Sequence, residues 1–163
     1  MRVLGIDPGP NLSGVCLIDY KADKNWEIVF AEKATNSDVK AILQDDLNAD
    51  VAIEGMVYQG QGFGASSIET CYQIGWFMAI AARENAHVFL YSRREYGRHF
   101  VPEGTLNDSS LRAGLEDCFG SFSYKTAPLY PLRGATDKRS AFAVAMYHAI
   151  KTTNAVKVKS KNG

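Results

Sequence analysis

The chain has 163 residues, 46% of them hydrophobic and 22% charged, the makeup of one ordinary globular domain with room for a core. No apolar stretch is long enough to cross a bilayer, and residues 1–15 lack the basic-then-apolar layout of a secretory leader. Three scattered cysteines (Cys16, Cys71, Cys118) offer neither a disulfide framework nor Cys-x-x-Cys zinc spacing, and fit buried thiols in a reducing cytoplasm. Net charge is zero but uneven: residues 1–55 carry ten acids and five Lys/Arg, whereas residues 56–163 carry eight acids and thirteen Lys/Arg. Groups able to meet an anionic ligand therefore gather in the second part of the chain.

In chain order, Val3–Ile6 reads as a short buried strand that delivers Asp7 to its tip, followed by the turn Pro8-Gly9-Pro10-Asn11. Val15–Asp19 and Glu27–Ala31 are two further strands joined by a polar turn. Asn36 or Ser37 is placed to cap a helix over Val39, Ile42, Leu43 and Leu47. Val51–Glu54 is a fourth strand, again ending in an acid, and Gln59–Gly64 is too rich in glycine to lie inside any element. A long helix capped near Ser66 or Ser67 follows, with Ile68, Cys71, Tyr72, Gly75, Met78, Ala79 and Ala82 at the spacing of one apolar face. Val88–Leu90 makes a fifth strand, Leu111, Leu115 and Cys118 mark a helix ending at Gly120, and Thr136 caps a last helix through Ile150. Three hairpin-linked strands followed by alternating helix and strand imply an α/β fold, a mixed five-stranded sheet with helices on both faces. The domain is expected over residues 1–152, with a basic, flexible tail over 153–163.

Asp7 and Glu54 each end a strand, at the edge where open α/β sheets hold their ligands. Asp137 lies in the first turn of the last helix, where the positive helix end favours an ionised carboxylate. Converging carboxylates repel unless cations lie between them, and an all-oxygen donor set suits Mg²⁺ or Mn²⁺. His148 lies about 16 Å along the helix axis from Asp137, too far to share a metal with it, and reads as a packed or surface residue.

Gly5-Ile6-Asp7-Pro8-Gly9 with Gly14, then Ala52-Ile53-Glu54, then Asp137-x-x-Ser140-Ala141-Phe142-Ala143-Val144-Ala145 resemble the motifs of the RuvC-type Holliday-junction resolvases of the RNase H-like superfamily. The resemblance spans about residues 1–150. Ser67–Gly75 and Pro128-Leu129-Tyr130 look closer to the small phage-borne members. It implies a homodimeric crossover-junction endodeoxyribonuclease in which Asp7, Glu54 and Asp137 hold two Mg²⁺ or Mn²⁺ ions, Asp7 bridging them, for phosphodiester hydrolysis. Family members usually carry two acids, or a His and an acid, three residues apart at the start of the last helix; Asp137 fits the first position, and the second falls on Ser140, a much weaker ligand than a carboxylate. Three explanations follow: a variant that binds one metal through water, another acid recruited nearby (Glu69 among the candidates), or weakened or lost activity.

Candidate phosphate contacts are Arg93, Arg94, Arg98, Lys125, Arg133, Lys138 and Arg139, with Lys138 and Arg139 favoured because they adjoin Asp137. Tyr58 and Phe63 are candidates to stack on unpaired bases at a branched DNA junction, and the helix from Ser67 to Arg83, with Tyr72, Trp76, Phe77 and Met78, is the candidate dimer surface. The competing readings are a branched-DNA-binding protein without cleavage and an RNase H-like nuclease acting on a flap or RNA–DNA hybrid. An actin-like or sugar-kinase ATPase shares a Gly-x-Asp-x-Gly turn, but needs a second domain for which 163 residues leave no room.

Overall fold

The computed structural model describes residues 1–21, 25–45, 48–57 and 64–161, with side chains of the last helix described through Asn154. Tyr58 and Phe63, the two stacking candidates, lie outside the described residues. The elements run β1 (Arg2–Asp7), β2 (Leu12–Lys21), β3 (Asn25–Thr35), α1 (Asn36–Gln44), β4 (Asp50–Gly55), α2 (Ala65–Arg83), β5 (Val88–Ser92), α3 (Arg93–Phe100), α4 (Asp108–Phe119), one 3₁₀ turn (Tyr130–Leu132) and α5 (Thr136–Lys161). The sheet order is β3-β2-β1-β4-β5. β1, β2 and β3 pair antiparallel, whereas β1 with β4 and β4 with β5 pair parallel. This is the mixed five-stranded α/β sheet expected from the sequence.

Strand pleating decides which side each residue serves, since successive side chains point to opposite faces. Val3, Cys16, Ile18 and Ala52 face a core built with α3, α4 and α5. Leu4, Ile6, Val15, Leu17, Val51 and Ile53 face the other core, under α1 and α2. One further step along β1 and β4 turns both Asp7 and Glu54 toward α5. Ile6 pairs with Ile53, so the two acids emerge side by side.

The first half of α5 is apolar around its circumference because it is covered around its circumference: Ala141 through Met146 are all buried. Two glycines let it lie against the sheet. A Cβ on Gly5 would collide with the Ala141 carbonyl, and one on Gly14 with the Asp137 backbone. The close approach they allow brings the N-terminus of α5, with Asp137, down onto the ends of β1 and β2.

Several elements differ from the sequence expectation. Thr35, not Asn36 or Ser37, caps α1, accepting from the Asp38 backbone N–H. Asn36 is instead buried, for a reason that concerns the site. α2 starts at Ala65 with no side-chain cap, and it is turned from the face expected. Thr70, Ile74, Phe77, Ile80 and Ala81 are buried, whereas Ile68, Tyr72 and Trp76 are 45%, 66% and 59% exposed. The helix carries apolar residues on most of its circumference, so spacing alone does not choose a side. α3 was not foreseen, and the last helix, expected through Ile150, runs on to Lys161.

Candidate active site

The turn after Asp7 is fixed from within. Ser13 Oγ accepts from the Gly9 N–H at 3.2 Å and donates to Asn36 Oδ1 at 2.7 Å. Asn36 Nδ2 donates to the Gly9 and Pro10 carbonyls, each at 3.0 Å. A turn with no regular ladder therefore has its backbone groups satisfied by one buried amide, which holds Asp7 at the end of β1.

Asp7 and Glu54 face the same side at the tips of adjacent strands, with Glu54, Asp137, Arg93 and Ser140 all close enough to act on the Asp7 carboxyl. Burial first, then the charges of Glu54 and Asp137, push the Asp7 carboxyl up to about 8, against the opposing pull of Arg93 and Ser140. Burial likewise raises Glu54, opposed by the Tyr96 hydroxyl and Arg93. Tyr96 is fully buried and donates its hydroxyl to Glu54 Oε2. Burial and the Glu54 charge push that phenol up, so it remains a donor. Asp137 is held by Lys33 Nζ at 2.6 Å, reaching across from β3, where Lys33 pairs with Gly14.

Arg93 enters this group from the start of α3. Its Nη1 donates to Ser140 Oγ at 3.0 Å and lies 4.0 Å from Glu54 Oε2, while Nη2 donates to Asp108 at the start of α4. The helix that carries it begins with a capping box, Ser92 bonding the Glu95 N–H and Glu95 bonding the Ser92 N–H. That box fixes Arg93 as the first helical residue, at the same sheet edge as Glu54.

The oxygen donors, together with the burial and then the neighbouring acids that raise Asp7 above the usual carboxylate range, fit a hard divalent cation such as Mg²⁺ or Mn²⁺. Among the described residues, however, no three Asp, Glu, His or Cys side chains are already gathered as a metal-binding group. Lys33 holds Asp137, and Tyr96 holds Glu54.

A cleft of about 990 Å³ opens beside Glu54, lined by Met56, Val57, Arg93, Arg94 and Arg98 among others. Of the other basic candidates, Arg98 spends its guanidinium on the Val101 and Gly104 carbonyls, at 3.3 and 2.8 Å. Lys138 turns away from the acids to donate to the Pro131 carbonyl at 2.7 Å. Arg139 and Arg133 share a second cleft, of about 490 Å³, with Arg112. Lys125 lies beside Trp26 and Glu27, which pair at the end of β3 remote from the acids. His148 is buried at the far end of β4, with Nδ1 2.9 Å from the Tyr91 hydroxyl and Nε2 3.0 Å from Asp50. Glu69 is exposed on α2.

Asp7, Glu54, Asp137 and Ser140, all marked in the sequence, lie at one edge of the sheet, with Asp137 drawn to Lys33 rather than closed on the other acids. Tyr96, Lys33 and Asp108 join them unannounced by the sequence, and Arg93, expected only as a phosphate contact, bonds Ser140 and Asp108. The Ser92-x-x-Glu95 capping signal was the available clue to Arg93 and Tyr96. Nothing in the sequence marked Lys33.

No protein-family model matches the chain, and no curated protein matches it. Solved structures do. The fold is shared with RuvC and with a poxvirus Holliday junction resolvase. Thermus thermophilus RuvC superimposes with a TM-score of 0.73 at 18% identity, covering 95% of this chain and 97% of that one. The same protein in complex with a Holliday junction substrate gives 0.69 at 19% identity, covering 93% and 94%. Fowlpox virus resolvase with Holliday junction DNA gives 0.59 at 16% identity, covering 93% and 99%.

Proposed function

We propose that the protein is a metal-dependent, structure-selective DNA endonuclease that resolves four-way junctions, acting as a homodimer. One observation carries this reading: two acids stand side by side at the tips of adjacent parallel strands, beneath a third acid on the first turn of α5. The likeness in fold to resolvases solved with junction DNA supports the substrate class. The cleft that runs from Glu54 past Arg93 and Arg94 supplies positive charge where a phosphodiester backbone would enter.

In this reading Asp7, Glu54 and Asp137 hold the divalent cation, which when bound polarises the phosphate and lowers the pKa of a water. The water oxygen would form a bond to phosphorus as the P–O3′ bond breaks, the water proton passing to solvent or to a carboxylate and the departing 3′-oxygen taking a proton from solvent to leave a 3′-hydroxyl. Tyr96 keeps Glu54 ionised and oriented through its hydrogen bond. Lys33 holds Asp137 at the edge of the site until the substrate and cation draw it in. Arg93 and Arg94 neutralise the incoming backbone.

The dimer has a candidate surface in α2. Ile68, Tyr72 and Trp76 recur every four residues and stand exposed in one stripe, with Lys40 Nζ 4.8 Å over the Trp76 ring.

The test is cleavage of a labelled four-way junction in Mg²⁺ or Mn²⁺ beside linear duplex, flap and RNA–DNA hybrid. Paired nicks confined to the junction are expected. Preferential cutting of the hybrid or the flap would assign another substrate to the same site, and tight junction binding without nicks would mean the fold is used for binding alone.

A further inference from the structure

Position 140 holds a serine where the resemblance places an acid, and the surroundings show what stands in the acid's stead. Ser140 is 2% exposed and accepts from the Arg93 guanidinium at 3.0 Å. The other arm of that guanidinium is fixed by Asp108, and its first arm also lies 4.0 Å from Glu54. Arginine is cationic at every accessible pH, and its planar fork is oriented by both partners. A carboxylate at position 140 would demand a counter-cation; a hydroxyl does not. A second divalent ion within reach of Ser140 would lie against a fixed positive charge, with no anionic ligand there to hold it.

We propose that Arg93 is the second cation of this site: clamped between Ser140 and Asp108, its guanidinium takes the place of a second metal ion, and each site holds a single divalent cation. The proposal rests on reading Asp7, Glu54 and Asp137 as the cation-holding set. Arg93 then directs its charge at the phosphate oxygens, as a preorganised donor. Asp108 and Ser140 are positioning residues that act through it. The identity of residue 140 and the presence of Arg93 are thereby one feature of the site.

Manganese binding tests this apart from cleavage. The metal-free full chain is titrated with Mn²⁺ and followed by electron paramagnetic resonance, counting bound ions and reading whether they couple magnetically. The expected result is one uncoupled Mn²⁺ per wild-type chain, lost in Asp7→Asn. The double variant Ser140→Asp/Arg93→Met should bind two coupled ions. Arg93→Met alone should still bind one ion but cut about 100-fold more slowly, and Arg93→Lys should recover at least part of that loss. Two coupled ions on the wild-type chain would overturn the proposal without any variant having to fold, as would no specific Mn²⁺ at all. One bound ion on a chain that cuts no junction would uphold the count of ions and overturn the proposed function.

Discussion

In the folded protein Asp7 keeps its proton up to about pH 8, whereas in the unfolded chain an aspartate loses it near pH 4. Between those values unfolding releases a proton, so this group lowers stability as pH rises from about 4 to 8, and below that window it has no such effect. The burden is intrinsic to pressing carboxylates together for a cation to share. Asp7→Asn should therefore make the metal-free protein more stable at pH 8, by about 1–2 kcal/mol, and leave it nearly unchanged at pH 4.5. Urea unfolding in the presence of a chelator at the two pH values measures the difference. A variant no more stable than wild type at pH 8 would contradict the electrostatic description of the site. Tyr96 makes a second residue-scale case. Its hydroxyl is a buried donor to the Glu54 carboxyl group, so Tyr96→Phe should cost about 1–3 kcal/mol of stability and slow junction cleavage together. Loss of stability with unchanged cleavage would confine Tyr96 to packing.

Among the elements, α5 controls the site through two contacts with glycine. Gly5→Ala places a methyl group where the Ala141 carbonyl lies, and the helix or the strand must shift. Overpacking of this kind costs about 1–3 kcal/mol, and here it also moves Asp137 and Ser140 away from Asp7. Thermal unfolding should report a lowered midpoint and a Mn²⁺ titration a weakened affinity; wild-type affinity in the variant would show that α5 does not set the site. The same elements explain what could be read from the sequence. β1 and β4 are short apolar runs closed by an acid, and pleating alone places Asp7 and Glu54 on one side. α3 escaped notice because its eight residues, Arg93–Phe100, carry three arginines, a glutamate and a histidine around only two large apolar anchors, Tyr96 and Phe100. Its signal was the cap rather than the periodicity. The buried side of α2 was illegible for the opposite reason, since apolar residues occur nearly all around it. Asn36 looked like a helix cap, and its bonds to Gly9, Pro10 and Ser13 depend on a contact across the sheet edge that no local pattern records.

For the whole molecule, charge and apolar surface are separated: basic side chains line the clefts near the acids, and the exposed apolar stripe runs along α2 on the other face of the sheet. Replacing Tyr72 and Trp76 together with serine should leave the stability of the single chain within about 0.5 kcal/mol, because both side chains are largely exposed. Light scattering should then show a monomer, whereas an unchanged dimer would move the interface elsewhere. Paired nicking of a junction needs two sites, so the same variant should lose paired nicks before single ones. The acids at the tips of β1 and β4 are the groups proposed to cut branched DNA. The most direct test of that assignment compares wild type with Asp7→Asn on one labelled four-way junction, with binding measured beside cleavage in Mg²⁺. Both proteins should bind the junction alike and in preference to linear duplex, and only wild type should introduce paired nicks. Cleavage that persists in Asp7→Asn, or a wild type that binds the junction no better than duplex and leaves it uncut, would contradict the assignment.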